Sequence, residues 1–304
     1  MTRKSPSAMT FIFIFLLGLS FHLVPSGGLE ASGQRQSEQK QQSQAQDPEQ
    51  KMLDFSLVGY TQKGKKSWEV MGKSADIFSD IVRLTSVNAN VYGEEENINL
   101  VGDKGAYDKT NGKMHLEDNV IITTQSGGRL STDSLDWDRA SQRVTTTDVV
   151  NIEKQNMKVR AKGLEGQPDL KKVFLKDDVQ VELQEEQAAS DTLLASKEPT
   201  VINCDGPLEI DYEKEVAIFN NNVKVNQKEQ GDMYADKMEA YFDFKNKKII
   251  RIKSMGNVKI VKGENTSYSE EAEYSAATKK MVLTGRPHLV IYSEEKLVDA
   301  SLRN

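Results

Sequence analysis

The sequence is poor in almost everything that marks a catalytic or nucleic-acid-binding chain. It has one cysteine, Cys204, which excludes an internal disulfide and a thiolate metal cluster; the residue reads as a small buried side chain, with a reactive thiol or an intermolecular pairing as the alternatives. The three histidines, His22, His115 and His288, stand far apart in apolar local sequence. None has the H-x-x-x-H spacing that aims two imidazoles at one ion, so neither a metal nor another cofactor is expected. Basic residues do not outnumber acidic ones: 40 against 46, intermixed, for a net charge of −6. No basic stripe exists to neutralise a phosphate backbone, and nucleic acid is not an expected partner. Aromatics make up only 7%, and the apolar residues are mainly Val, Ile and Leu in short runs, which favours thin β layers and a shallow core.

Catalytic motifs are missing too. There is no G-x-S-x-G elbow and no Ser or Cys beside a histidine. Carboxylates are plentiful, but acidic residues in turns are normally solvated faces, so no acid/base pair is assigned. Gly59 to Lys65 has the glycine and lysine spacing of a phosphate-binding loop, yet Lys66 stands where a metal-binding Ser or Thr belongs and Trp68-Glu69-Val70 continues as a strand; a hairpin turn is the better reading. No catalytic residue is named, and the chain is expected not to be an enzyme.

What is present begins with Arg3 and Lys4, followed by the longest apolar stretch, Met9 to Val24. Leading positive charge would keep the N-terminus cytoplasmic and put everything after residue 30 on the outer side of the membrane. The run is shorter than the roughly 20 residues of a spanning helix, and Ala31-Ser32-Gly33 offers small residues for cleavage, so length favours a cleaved signal over an uncleaved anchor. No cysteine stands directly after the run, which excludes lipoprotein anchoring. Gly33 to Lys51 holds eight glutamines and no large apolar residue; it cannot offset the entropy of ordering and reads as a leash spanning roughly 20–25 Å.

Beyond the leash one theme recurs: a strand ending in an aromatic or acidic pair, a short polar turn, an apolar strand, then Asn or Asp followed by Val and another strand. It starts at Gly105, Ser134, Leu208, Met238 and Glu271, with turns at Asp108 to Gly112, Asp138 to Gln142, Glu213 to Glu215, Lys245 to Lys248 and Ala276 to Lys279. Such turns suit antiparallel hairpins. Val179, Val181 and Leu183 alternate with polar residues, as do Val120 and Ile122, Val223 and Val225, Val258 and Ile260, and Leu289 and Ile291, so one face points inward; no sustained 3.6-residue stripe appears after the N-terminus. The segment Gln184 to Thr200 breaks the pattern. The expected organisation is 1–30 stub with anchor or signal, 31–51 leash, 52–184 first β domain, 185–200 linker and 201–304 second β domain.

Three stretches carry a family resemblance: FSLVGYTQKGKKSWEVMGKSADI from Phe55, LVGDKGAYDKTNGKMHLEDNVIITTQSGGRLSTDSLDWD from Leu100, and VRAKGLEGQPDLKKVFLKDDVQVEL from Val159. They resemble the LptC family of lipopolysaccharide export. From about Val201 to Tyr292, LEIDYEKEVAIFNNNVKVNQ and MYADKMEAYFDFKNKKIIRIKSMGNVKIV resemble the LptA/OstA-type bridge domain. The resemblance implies an elongated antiparallel β-jellyroll, two in tandem, open along one edge, with an apolar interior that shelters acyl chains. It implies an uncleaved N-terminal helix, hence a single-pass inner-membrane protein with its body in the periplasm, soluble periplasmic if the signal is cleaved. The implied partners are lipopolysaccharide, the inner-membrane lipopolysaccharide ABC transporter, and an LptA-like or outer-membrane jellyroll joined through edge strands. LptC proteins usually stop after one jellyroll, and this chain continues. Candidate groove-lining residues are Val120, Ile122, Val150, Ile152, Val223, Val225, Val258 and Ile260, with ordinary core packing as the competing assignment for each. Competing functions are a secreted parallel β-solenoid enzyme or binding module acting on polysaccharide, and a structural envelope protein with a filled interior.

Overall fold

In the computed structural model the described residues are 47–292, apart from 94–96, 139, 142, 155, 167–171, 185–198, 212, 229–230 and 244–247. The apolar run Met9 to Val24, most of the leash, most of the linker, most of the turn at Lys245 to Lys248 and the terminal SLRN lie outside them.

The chain is a run of β-strands. β1 (Gln50–Tyr60), β2 (Lys66–Ile77), β3 (Ile81–Tyr92), β4 (Asn97–Asp108), β5 (Lys113–Thr124) and β6 (Arg129–Asp138) follow one another, then β7 (Arg143–Lys154), β8 (Met157–Gly166) and β9 (Lys172–Leu183). Short strands β10 (Thr200–Cys204) and β11 (Leu208–Asp211) precede β12 (Val216–Gln227), β13 (Gly231–Asp243), β14 (Lys248–Lys262) and β15 (Asn265–Ser275); β16 (Lys280–Thr284) and β17 (His288–Val290) close it. All pairings are antiparallel and make one sheet. Stacked parallel coils, expected of a solenoid, do not occur among the described residues. The Gly-Lys segment after Gly59 is the β1–β2 turn, where Gly64 N donates to Thr61 O at 2.9 Å.

The repeated sequence theme has two physical causes. At the hairpin turns an aspartate accepts from backbone N–H groups two and three residues on: Asp108 from Thr110 (2.8 Å) and Asn111 (2.9 Å), Asp138 from Ala140 (2.8 Å) and Ser141 (3.2 Å), Asp211 from Glu213 (3.1 Å) and Lys214 (3.0 Å). These are Asx-turns, which satisfy donors the ladder leaves behind. The Asn-Val or Asp-Val pair is no boundary between strands, as the pattern suggested. It lies inside one strand, at a bulge that bends it. Asn119, Asp178, Asn222 and Asn257 have positive φ of 55°, 51°, 52° and 49°, a conformation that Asn and Asp tolerate better than most residues. The valine that follows each, Val120, Val179, Val223 or Val258, is at most 2% exposed. All three asparagine amides donate to an aspartate on the adjoining strand or connection, Asn119 to Asp103 (2.7 Å), Asn222 to Asp205 (2.5 Å) and Asn257 to Asp236 (2.9 Å).

Bending explains how one sheet has a core. No helix or second sheet covers it among the described residues, so the apolar face is buried against itself, the two halves of each strand facing across the bend. A twelve-residue strand then gives two arms of about 20 Å each at roughly 3.3 Å per residue. We call the arm carrying the β5–β6, β7–β8, β12–β13 and β14–β15 turns the first arm, and the other the second.

The two expected domains meet without a gap in the sheet. β9 pairs with β10 (Val181↔Ile202) and with β11 (Leu175↔Leu208), and both short strands pair with β12. One aliphatic cluster contains Val159, Leu175 and Val181 from before residue 184 and Ile202, Phe219 and Val225 from after residue 200. Gly206, between β10 and β11, lets the split strand approach β9: a Cβ there would lie 2.0 Å from the Lys176 carbonyl oxygen.

Candidate functional site

The interior between the arms is the candidate site, and cross-strand register shows its continuity. On the first arm, Leu100 pairs with Ile122, Ile122 with Leu130, Leu130 with Ile152 and Ile152 with Val159. The row continues from Val159 to Val181, Ile202, Val225, Met233 and Ile260. Every member is aliphatic or a methionine, and the row crosses the β9–β10 junction without a polar interruption. Directly paired residues share a face of the sheet, so the row is a single apolar stripe running perpendicular to the strands.

The second arm supplies the opposing wall. Tyr107 pairs with Met114, Met114 with Trp137 and Trp137 with Val144. Past β8 the row resumes as Val173, Ile210, Ala217, Ala240, Ile252 and Tyr274. From β4 onward the bulky rings concentrate on this arm: Tyr107, Trp137, Phe219 and Tyr274 are all at most 4% exposed.

Between the walls, from β8 to β16, lies a cavity of about 360 Å³ lined almost wholly by apolar side chains, among them Met157, Val181, Phe219, Met238 and Tyr274. That volume is near the lower end for small-molecule pockets. Met157, Met233, Met238 and Met281 line it, and unbranched thioether side chains adapt readily to irregular ligands.

The eight candidates divide into two sets of four. Ile122, Ile152, Val225 and Ile260 are members of the first-arm row, and Val225 and Ile260 line the cavity. Val120, Val150, Val223 and Val258 sit at the bend with 0–2% exposure, filling the angle where the arms meet. The sequence reading missed the second-arm wall, because its residues stand in turn-flanking segments such as Tyr241-Phe242-Asp243 where alternation is short. It also left Val181 and Leu183 out of the lining, although their alternation was visible.

Polar chemistry is sparse. His115 is on the exposed outer face, its Nδ1 2.7 Å from Asp136 Oδ1 and its Nε2 3.8 Å from Glu117 Oε2, and lines an open hollow of about 670 Å³ together with Lys113, Trp137 and Arg143. Ser134 donates to Asp148 at 2.6 Å and forms no dyad with that imidazole. His288 is stacked on Tyr268, ring centroids 4.7 Å apart. Among the described residues no cluster of three or more metal-ligating side chains occurs. Burial pushes the Cys204 thiol above its ordinary pKa, the setting of an inert packing cysteine.

An unbroken apolar wall crossing both halves of the chain now meets the sequence comparison. A family profile described as lipopolysaccharide-assembly, LptC-related, matches residues 13–184, more than half of the 304 residues. The chain belongs to the LptC-related family. A second profile, LptA/(LptD N-terminal domain) LPS transport protein, matches residues 202–301. No curated protein matches the chain significantly. This LptC-related chain is therefore an LptC unit followed by an LptA-like unit, both of families concerned with moving lipopolysaccharide through the cell envelope, and β9 to β11 are the strands where the two are sewn together.

Proposed function

We propose that the chain is a non-catalytic carrier that holds the acyl chains of lipopolysaccharide between its two arms and passes the lipid along the trough. In this reading the lipid comes from the inner-membrane ABC transporter, the N-terminal apolar segment anchors the chain in that membrane, and the body stands in the periplasm. Each methylene kept from water is worth about 0.8 kcal/mol, so a chain of a dozen carbons left exposed would cost roughly 10 kcal/mol. Transport across an aqueous space needs a lined path and no bond making.

The single observation that carries the reading is the first-arm row from Leu100 to Ile260, apolar at every position across the junction of the two units. The sheet's ends support it. Among the described residues β1 pairs only with β2, and Leu53 and Tyr60 on it are 66% and 61% exposed. Val282, Leu289, Ile291 and Tyr292 are exposed at the other end. Unpaired edges accept a further strand, so each end is a place for the next jellyroll to extend the path.

Photo-crosslinking in cells tests the proposal. Probes at Ile122, Ile152, Val225 and Ile260 should capture lipopolysaccharide, probes at Val120, Val150, Val223 and Val258 much less, and a probe at outward-facing Lys224 none. Equal capture at Lys224 and Val225 would refute the trough.

A further inference from the structure

The second-arm wall changes in bulk along the trough, and the cavity lies where its side chains are small. Ala217 and Ala240 pair directly in the second-arm row, between Ile210 on β11 and Ile252 on β14. Side chains two residues apart on a strand share a face, so a second inward row stands two residues nearer the bend. On β12 to β15 it reads Phe219, Met238, Ser254, Ala272. Ala217, Ala240, Ser254 and Ala272 all line the cavity, as do Val225 and Met233 on the facing arm. The space therefore slants through the wall, rim side at β12 and bend side at β15, over about 14 Å at roughly 4.8 Å per strand.

The same row in the first unit carries larger groups. From β4 to β7 it reads Tyr107, Met114, Trp137 and Val144, with both rings buried. Gly105 stands in the row nearer the bend, but it opens no space: a Cβ there would lie 3.1 Å from Leu116 and 3.4 Å from Val87. Gly166 on β8 is buried between Val144 and Val173 in the second-arm row and does not line the cavity. A packed wall only partly closes over a missing side chain. Where alanine stands in a row otherwise built of aliphatic and aromatic residues, ligand methylenes can take the vacant volume.

We propose that bound lipid comes to rest in the second unit and that Ala217 and Ala240 set the acyl-chain length it accepts there. This rests on the carrier reading above and adds to it a resting place and a length gauge. The alanine pair leaves the width in which a chain lies against Val225 and Met233. Ile210 and Ile252, on either side in the same row, mark how far the wall stands out where that width is lacking. Tyr107 and Trp137 narrow the corresponding space in the first unit, so chains pass there and are held beyond it.

The test uses the full chain in proteoliposomes, with a photo-crosslinker at Val225 or at Ile122, offered subsaturating lipid A or the same lipid A with shortened acyl chains. The variant is Ala217→Ile/Ala240→Ile, which repeats the side chain already standing at positions 210 and 252 and suits a strand; circular dichroism and urea unfolding report whether it folds. Each methylene displaced should weaken capture roughly fourfold. The double variant should therefore capture lipid A at Val225 at least about tenfold less than wild type, and the short-chain form about as well. Capture at Ile122 should not fall, since the first unit is untouched. If the double variant does not fold, Ala240→Val alone carries the test, with a loss of about fourfold for lipid A only. A folded variant that captures both lipids at Val225 as wild type does, or loses both equally, overturns the gauge. An equal loss at Ile122 and Val225 overturns the resting place in the second unit. Failure of wild type to capture lipid A at either position would instead refute the carrier reading.

Discussion

The seam between the two units is the point on which a continuous trough depends, and Gly206 is where it can be broken by a single methyl group. Its φ is +102°, and an added Cβ would lie 2.0 Å from Lys176 O and 2.8 Å from Lys176 C. Ordinary contact begins near 3.4 Å, so β9 and the β10–β11 connection would have to part by about 1.4 Å at that point. Asp178 N to Asp205 O (3.1 Å) ties β9 to this connection, and Asp205 N to Asn221 O (2.9 Å), Gly206 N to Asn220 O (3.2 Å) and Asn221 Nδ2 to Gly206 O (2.7 Å) tie the connection to β12, so a shift of the connection strains both sets. Losing two or three of them at about 1 kcal/mol each, with about 1–2 kcal/mol for a side chain in a left-handed conformation, gives a cost of about 3–5 kcal/mol for Gly206→Ala. Gly263→Ala is the control, because Gly263 also has positive φ, +59°, but nothing lies within 4 Å of its Cβ position; it should cost only about 1–2 kcal/mol. Urea unfolding followed both by circular dichroism and by the fluorescence of Trp68 and Trp137, which are buried in the first unit, separates the outcomes. Wild type should unfold with coincident signals because strand pairing is continuous from the tryptophan-bearing strands through β9 to β10 and β11, and a second cluster spans the seam. In Gly206→Ala the dichroism should fall at lower urea than the fluorescence, the second unit having been uncoupled. If Gly206→Ala and Gly263→Ala lose the same stability with coincident signals, the reasoning about the seam is wrong.

Two further outcomes follow from the local chemistry of the repeat. Asn257→Ala should destabilise by about 1–2 kcal/mol, since it removes a bond to Asp236 and puts an alanine at positive φ; Asn257→Gly should lose less, and a double-mutant cycle with Asp236→Ala read by urea unfolding should show favourable coupling of about 0.5–1.5 kcal/mol. The backbone N–H of Asn111 holds the Asp108 carboxyl below the ordinary aspartate range, as that of Ser141 does for Asp138. A folded pKa below the unfolded one means stabilisation that is complete above the unfolded value and disappears as pH falls through the folded value. Asp108→Asn should therefore lower the urea midpoint at neutral pH and make little difference in strong acid, and an equal loss at both pH values would refute the assignment.

Much of this architecture was legible in the sequence because it repeats. Period-two alternation at Val120 and Ile122 or Val223 and Val225, short polar turns opening on Asp108, Asp138 and Asp211, and the absence of helical stripes pointed to antiparallel strands. The Asn-Val pairs stood out as a signature but not with their meaning. A bulge adds one residue to one strand, and in a linear string it looks like a boundary, so Asn119 and Asn257 read as ends when they are bends.

From composition and pattern alone came an all-β chain with an inward aliphatic face, no assignable catalytic machinery and a resemblance to two lipopolysaccharide-transport families, because alternation and turn chemistry are local and each residue carries its own conformational cost. Which aliphatic residues fill the angle of the bend and which line open space was decided in three dimensions, as was the joining of β9 to β10 and β11 across the place where the pattern falters. Those outcomes depend on how strands far apart in the chain pair and how sharply each one folds, and strand pairing between distant segments is set by the mutual fit of whole faces.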